Sequence, residues 1–113
     1  MDLNLVVLLG RLSAPPDIVT NENTTVRLLV AVRSEWPVKR LDLVPVIWWN
    51  PSEDEVSGLA QVGAQVWATG SLQRRYWEGP DGRRSRIEMI AEHVTFPSDD
   101  ELAAQCFQDH GPP

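Results

Sequence analysis

The chain has 113 residues and a formal net charge of −6. A chain of this length forms one domain with an ordinary hydrophobic core, which requires neither disulfides nor a metal. Cys106 is the only cysteine, which excludes an internal disulfide, and no apolar run approaches the ~20 residues that span a bilayer. Because the first residues also lack the basic start of a signal peptide, we expect a cytoplasmic protein with no membrane partner.

Three strands are predicted in the first half of the chain. Residues 3–12 are an almost continuous run of leucine and valine, which predicts a strand buried on both faces. Residues 21–24 have the polar composition of a turn. Further strands are expected over residues 25–33 and 41–49, on either side of a polar loop that contains Trp36.

A short helix is predicted to begin after Ser52, because residues 52–55 have the pattern of a capping box. The Ser52 hydroxyl can accept a hydrogen bond from the backbone N–H of Glu55, and the Glu55 carboxylate can accept one from the backbone N–H of Ser52. The acidic first turn also suits the positive end of the helix dipole. We expect this helix to run to about Val62 and to end at Gly63.

Two more strands follow the helix. Residues 65–77 predict a long strand with a bulge or bend at Gly70, residues 79–82 a hairpin tip, and residues 84–96 a fifth strand. Five strands with a helix between the third and the fourth is the order of an all-β OB-fold barrel. An open antiparallel sheet with one helix is the alternative.

The domain organisation follows from where these elements stop. We assign residues 1–97 to the barrel domain. Residues 98–113 are acidic and rich in proline at their end, and we expect them to be a short disordered tail.

Acidic and basic residues are separated along the chain, so two segments are basic although the net charge of the whole chain is negative. Residues 27–40 hold four Lys or Arg against one Glu, and residues 71–86 hold five Arg against two carboxylates. Much of the acid lies instead in residues 53–55 and 98–113. Basic segments of this kind indicate an anionic partner even on an acidic chain.

Five tryptophans are the second functional signal. Trp36 lies in a polar loop, Trp77 follows two arginines, and the adjacent Trp48 and Trp49 must face opposite sides of one strand. Exposed indoles among arginines are typical of proteins that bind single-stranded nucleic acid, because bases stack on the rings while the cations contact phosphates.

Each of these features also has a purely structural interpretation. Trp48 and Trp67 fit the core or a subunit contact better than a nucleic-acid platform, whereas Trp77 is compatible with either role. The arginines at the hairpin tip could serve only as a charged edge that prevents aggregation.

The sequence offers no set of residues for catalysis. His93 and His110 do not stand at metal-ligand spacing from Cys106, and there is no Gly-rich phosphate loop. No nucleophile, base and orienting group can be recognised together. We therefore expect a binding protein with no cofactor and no metal, rather than an enzyme.

In the order of its motifs the chain resembles the bacterial-type single-stranded DNA-binding proteins. The similarity is collinear from about residue 3 to residue 96. The segments that carry it are NLVVLLGRL (4–12), VAVRSEW (30–36), VPVIWW (44–49), VGAQV (62–66), GSLQRRYW (70–77) and GPDGR (79–83).

The resemblance implies an OB fold that binds single-stranded DNA regardless of sequence, in replication, recombination and repair at the nucleoid. It also implies a homo-oligomer, with a tetramer favoured and a dimer possible. It places Trp36, Trp49 and Trp77 at stacking positions, so that Trp49 rather than Trp48 faces the DNA. The cations assigned with them are Arg11, Arg33, Lys39, Arg40, Arg74, Arg75, Arg83, Arg84 and Arg86.

Two features depart from that family pattern. Leu43 stands where the family often has another tryptophan, and residues 98–113 lack the family's Ile-Pro-Phe tip, so recruitment of repair proteins by the tail is not expected. With the net charge of −6, these departures favour a second hypothesis, an OB module whose aromatic residues serve subunit or partner contacts.

Overall fold

Six strands and one short helix make up residues 1–97, the part of the chain that the computed structural model describes. The predicted acidic tail, residues 98–113, lies outside this part. The elements in chain order are β1 (Val6–Leu12), β2 (Asp17–Thr20), β3 (Thr24–Ser34), β4 (Arg40–Trp49), α1 (Glu53–Ser57), β5 (Gln65–Gly79) and β6 (Gly82–Thr95).

The strands close into a barrel. Their order in the sheet is β1-β5-β6-β4-β3-β2, and a second pairing of β1 with β3, at Arg11 opposite Ala31, closes the ring and leaves β2 attached to β3 outside it. The β4–β6 pairing is parallel and the other pairings are antiparallel. The predicted barrel is therefore observed, and the open-sheet alternative is wrong.

One strand was not predicted. Residues 17–20 form β2, which pairs with the start of β3 across the turn expected at residues 21–24. This strand is short and mostly exposed, so its sequence carries little alternation. The sheet consequently has six strands, but β2 pairs only with β3, so the closed ring of β1, β5, β6, β4 and β3 has the five strands predicted, with α1 between the third and the fourth of them along the chain.

Inward-facing residues from all the long strands form the core. Side chains alternate between the two faces of a strand, so every second residue of β3, β4 and β5 enters the barrel. The buried apolar residues are Leu12, Val26, Leu28, Val30, Val46, Trp48, Val66, Ala68, Met89, Ala91 and Val94.

The outward side of β1 corrects a prediction. The run at residues 3–12 was expected to be buried on both faces, but β1 begins at Val6 and only its inward side meets the core. Leu5, Val7 and Leu9 point outward and are each more than half exposed. Apolar composition predicted burial on both faces, but the barrel buries only the inward side of β1.

The helix begins as predicted and ends early. The backbone N–H of Glu55 donates to the Ser52 hydroxyl at 3.1 Å, and the backbone N–H of Ser52 donates to the Glu55 carboxylate at 3.0 Å. The helix nevertheless ends at Gly58 rather than near Val62, because a five-residue helix with no buried residue has little packing to extend it. Within residues 1–97 no helix is long and apolar enough to cross a membrane.

Gly70 allows β5 and β6 to leave the barrel wall. The register of their pairing shifts between Thr69 and Gly70, which is the irregularity expected there. A Cβ on Gly70 would overlap the backbone oxygen of Ile90 and lie 2.8 Å from the Cα of Ala91. Beyond this bulge the two strands continue as a two-stranded hairpin to the turn between Gly79 and Gly82.

Replacing Gly70 by alanine should therefore destabilise the fold. Because the obstructing atoms are backbone atoms, we expect Gly70→Ala to lower the free energy of unfolding by about 2 kcal/mol. Urea denaturation measures this change. Gly58→Ala is the control, since its φ is −94° and the nearest atom to an added Cβ is 3.6 Å away. Equal stability of the two variants would contradict the close approach.

Candidate single-stranded nucleic-acid interface

The outward side chains of β3 and β4 form a continuous surface, here called the outer strip. Its ends are the cross-strand pairs Thr25–Trp49 and Arg33–Leu41, which are eight residues apart. At about 3.3 Å per residue the outer strip is about 26 Å long. Between the ends lie Arg27, Leu29 and Ala31 of β3 opposite Ile47, Pro45 and Leu43 of β4.

Strand alternation determines which of the two adjacent tryptophans reaches the outer strip. Trp48 points into the core and is 2% exposed, whereas Trp49 points outward and is 56% exposed. Trp49 is also the last residue of β4, so one edge of its ring is not flanked by a further strand residue.

An open groove lies beside Trp49 where the barrel meets the hairpin. Ile47 of β4 pairs with Ile90 of β6, and this pairing joins the outer strip to the hairpin. The groove encloses about 650 Å³, and we call it the front groove. It is lined by Thr25, Arg27, Ile47, Trp49, Gln73, Arg74, Arg75, Glu88 and Ile90.

Arg27 is a lining residue that the site assignment from sequence omitted. It lies opposite Ile47, two pairs along from Trp49, and it is exposed. Arg27 and Arg33 are six residues apart on one strand, so alternation alone places both on the same face. That spacing was the signal in the sequence that could have identified Arg27.

The hairpin divides its five arginines between two faces. On the front face, which continues the front groove, Arg75 lies opposite Arg86, and Trp77 lies opposite Arg84. On the back face, Arg74 and Arg83 alternate with Tyr76. The sequence predicted one site for all five arginines. The register places Arg75, Arg84 and Arg86 on the face of Trp77, while Arg74, from the other face, also lines the front groove.

A buried glutamate holds the front-face arginines together. Glu88 is 4% exposed and accepts two hydrogen bonds through Oε2, from Arg86 Nε at 3.0 Å and from Arg86 Nη2 at 2.7 Å. Arg75 Nη1 lies 4.0 Å from the same oxygen. Like charges directly opposite each other on neighbouring strands repel, so Glu88 compensates the Arg75–Arg86 pair.

The far end of the outer strip carries Trp36 and a second group of cations. Trp36 is 86% exposed in the loop between β3 and β4, and a cis peptide bond joins it to Pro37. Two adjoining concavities share Arg33 and Leu41 as lining residues. Arg11 lines the first of these concavities and Lys39 the second.

Arg40 is engaged with a carboxylate. Its Nη2 and Nε donate to Asp42 Oδ1 at 2.7 and 3.2 Å, on the side of β4 opposite to Leu41 and Leu43. This hydrogen bond and the charge of Asp42 raise the pKa of Arg40 above its ordinary value. Arg40 therefore carries a compensated charge, unlike Arg33 of the outer strip.

Comparison with known proteins identifies the family. The model of the single-strand binding protein family matches residues 3–97. The chain belongs to this family. The family is described as one of single-strand binding proteins. Within residues 1–97 no group of three His, Cys, Asp or Glu side chains is placed to hold a metal ion.

Individual relatives agree with this assignment. The single-stranded DNA-binding protein of Bacillus cereus is 31% identical over 101 residues, which cover 83% of this chain and 59% of that protein. Single-stranded DNA-binding protein 1 of Clostridium acetobutylicum is 29% identical over 102 residues, covering 83% of this chain and 93% of that protein. The chain thus spans about three-fifths of the length of the Bacillus relative.

A solved structure shows that the fold is shared. The Plasmodium falciparum SSB in a complex with ssDNA superposes with a TM-score of 0.77 and 21% sequence identity. The match covers 87% of this chain and 97% of that chain. The predicted OB-fold barrel is confirmed by this likeness.

Glu88 should stabilise the free protein through the arginines that it pairs. Glu88→Gln keeps the shape and one acceptor but leaves the Arg75–Arg86 pair uncompensated, so we expect a loss of about 1–2 kcal/mol in the free energy of unfolding. Urea denaturation without any ligand measures it. Glu92→Gln, an exposed glutamate on the same strand, is the control and should change stability by less than about 0.5 kcal/mol. Similar effects of both substitutions would contradict the compensating role.

Proposed function

We propose that this protein binds single-stranded DNA with little regard to sequence, and that residues 1–97 are the DNA-binding domain. The observation that carries the proposal is the placement of three exposed indoles on one continuous surface. Trp36 lies at one end of the outer strip, Trp49 at the other, and Trp77 on the adjoining front face of the hairpin. Family membership points to the same ligand.

The stacking part of the mechanism depends on those rings. Trp49 is 56% exposed and Trp77 is 40% exposed, so part of each ring surface is open to solvent. A base that stacks on such a ring contributes ~1–3 kcal/mol, and every base offers a flat face of similar character. Binding through these rings is therefore expected to tolerate any base sequence.

The electrostatic part depends on cations that line the same path. Within residues 1–97, Arg27 and Arg33 of the outer strip form no ion pair with a carboxylate, so they are suited to phosphate contacts. Arg84 forms an ion pair with Asp81 at 3.1 Å, and Arg86 forms one with Glu88. Both carboxylates reduce the net positive charge that these arginines present to a ligand. Arg75 is less closely paired, since its Nη1 lies 4.0 Å from Glu88 Oε2, so we expect Arg27, Arg33 and Arg75 to supply most of the phosphate neutralisation.

The middle of the outer strip supports contact without ring stacking. Leu43 is an exposed aliphatic residue between the two ends, and Leu41 is another at the end nearer Trp36. Their side chains can pack against sugars and base faces but offer no π surface. The bound DNA strand would accordingly be held most firmly at the two ends of the outer strip and less firmly between them.

The proposed cellular role follows from this binding mode. A protein that covers unpaired strands regardless of sequence protects DNA exposed during replication, recombination and repair. We place this role at the bacterial nucleoid in the cytoplasm. Recruitment of other proteins through the acidic tail forms no part of the proposal.

We also propose that the chain functions as a homo-oligomer, with a tetramer favoured over a dimer. The support is the apolar outward side of β1, where Leu9 lies opposite Trp67 and Val7 lies opposite Thr69. Leu5 extends this patch. A second copy of the chain packed on β1 would remove these side chains from water. A contiguous exposed apolar patch favours association of this kind.

Binding is tested first through the tryptophans. Addition of oligothymidylate should quench tryptophan emission, and Trp49→Ala and Trp77→Ala should each weaken binding by ~1–3 kcal/mol per lost stack. A fluorescence titration measures both effects. Val62→Ala, an exposed apolar substitution outside the outer strip, should bind like the parent protein. Parent-like affinity of both tryptophan variants would refute the site, and absence of a gel shift at low salt would favour the protein-interaction hypothesis.

The salt dependence tests the cations. The slope of log affinity against log salt should be about −0.7 for each phosphate neutralised. Arg75→Gln should make that slope less negative by roughly this amount, whereas Arg40→Gln should change it less, because Asp42 already pairs with Arg40. An affinity that does not depend on salt would remove the electrostatic part of the proposal.

The oligomer is tested at β1. Leu9→Glu places a charge in the proposed contact and should reduce the molar mass measured by light scattering, because an unpaired buried charge is costly. Val62→Glu introduces the same charge at an exposed position away from β1 and should leave the mass unchanged. If Leu9→Glu retained the parent mass, β1 would not be the contact surface.

A further inference from the structure

The back face of the β5–β6 hairpin carries an aromatic residue that the front groove does not use. Tyr76 is 53% exposed, and the guanidinium carbon of Arg83 lies 4.4 Å from the centroid of its ring. Arg74 Nη1 donates to the Ser85 hydroxyl at 3.1 Å on the same face. The hairpin therefore presents a ring and two oriented guanidinium groups on the side away from Trp77.

This arrangement differs from that of a charged edge that only prevents aggregation. Such edges present charge and little apolar surface. Here Leu72 and Ile87 accompany Tyr76 as exposed apolar residues on the back face. The contact of Arg83 with the Tyr76 ring also lies beyond the Gly70 bulge, outside the barrel, so the ring does not contribute to the core.

The chemistry of the back face fits a single strand of nucleic acid. A guanidinium held over a tyrosine ring keeps its outer plane available, and arginine planes stack on bases as aromatic rings do. Glu78 is the one carboxylate among the hairpin residues of this face, against Arg74 and Arg83, so the formal balance is positive. An anionic ligand with flat groups complements both properties.

The geometry of the hairpin allows one DNA strand to reach both its front face and its back face. Trp77 and Tyr76 are consecutive and point to opposite sides of the hairpin. The hairpin ends in a tight turn just beyond them, between Gly79 and Gly82. A DNA strand that passes over this turn therefore reaches from the ring on one face to the ring on the other.

We propose that Tyr76 and Arg83, with Arg74, form a second stacking site that takes the continuation of the same DNA strand after it passes over the hairpin tip. This inference rests on the proposed function, because it assigns to the back face a further segment of the ligand that the front groove binds. It also gives Arg83 a site separate from that of Arg75, Arg84 and Arg86, whereas Arg74 borders both sites because it lines the front groove as well.

The test compares Tyr76→Leu with Tyr76→Phe on labelled oligothymidylates of increasing length. The shortest, about 8 nucleotides, lies within the range that one OB domain occupies, and longer ones are extended in steps of about four nucleotides. We expect Tyr76→Leu to match the parent protein on the shortest strand and to lose about tenfold in affinity on longer ones. Tyr76→Phe keeps the ring and should match the parent protein throughout.

Two further measurements separate the possible explanations. Arg83→Gln should make the salt slope less negative by about 0.7 on long strands only. Trp77→Ala should weaken binding at every length, because Trp77 belongs to the front face. Light scattering of each variant without DNA reports whether the oligomer is retained.

Each other outcome overturns the inference. Parent-like binding of Tyr76→Leu to long strands would show that the back face is not used, and a loss with Trp77→Ala would then still support the proposed function. Equal losses on short and long strands would assign Tyr76 to the shape of the hairpin. A changed molar mass would make the back face a subunit contact, and absence of binding by the parent protein would refute the proposed function itself.

Discussion

The alternation of side chains along the strands determines both the stability and the binding surface of this protein. Every strand residue that enters the barrel leaves its neighbour outside, so the same backbone builds a core and an outer surface. Trp48 and Trp49 show this most directly: one indole is 2% exposed in the core and the next is 56% exposed beside the front groove. A shift of β4 by one residue would exchange their positions and remove the platform.

The hairpin depends on a local exception to that regularity. Gly70 allows β5 and β6 to cross closely and to shift register, so that the strands continue beyond the barrel instead of ending at its rim. Outside the barrel, alternation no longer separates core from surface and instead creates two exposed faces. Trp77 and Tyr76 consequently lie on opposite sides of the same ribbon, each with arginine neighbours.

Features that depend on short-range rules could be predicted from the sequence. The capping box at Ser52 and Glu55 involves residues three apart, and the opposite orientation of adjacent tryptophans follows from strand geometry. The order of elements specified the barrel. The predicted end of the helix was wrong: the helix is capped at Gly58, a poor helix former, and Leu59 packs against the core from outside the helix.

Features that depend on pairing between distant strands could not be predicted in the same way. Burial of Glu88 requires Arg75 from β5 and Arg86 from β6 to meet over it, and nothing in the local sequence distinguishes it from the exposed Glu92. The apolar run of β1 could not be assigned to a core or to a neighbouring subunit, because both remove Leu9 from water. The division of the hairpin arginines depended on register, which the tight turn between Gly79 and Gly82 sets.

The net charge of −6 and a nucleic-acid ligand are compatible because charge acts locally. Exposed charges more than about 10 Å apart are largely screened at ordinary ionic strength, so the net charge of the whole chain does not determine the charge that a ligand meets at the front groove. Close to the groove, the position of each carboxylate relative to the arginines matters more than the number of charges. Glu88 lowers the net charge of the front face, yet it allows two arginines to stand side by side without repulsion. A surface with fewer net charges but fixed guanidinium groups loses less side-chain entropy when a phosphate binds.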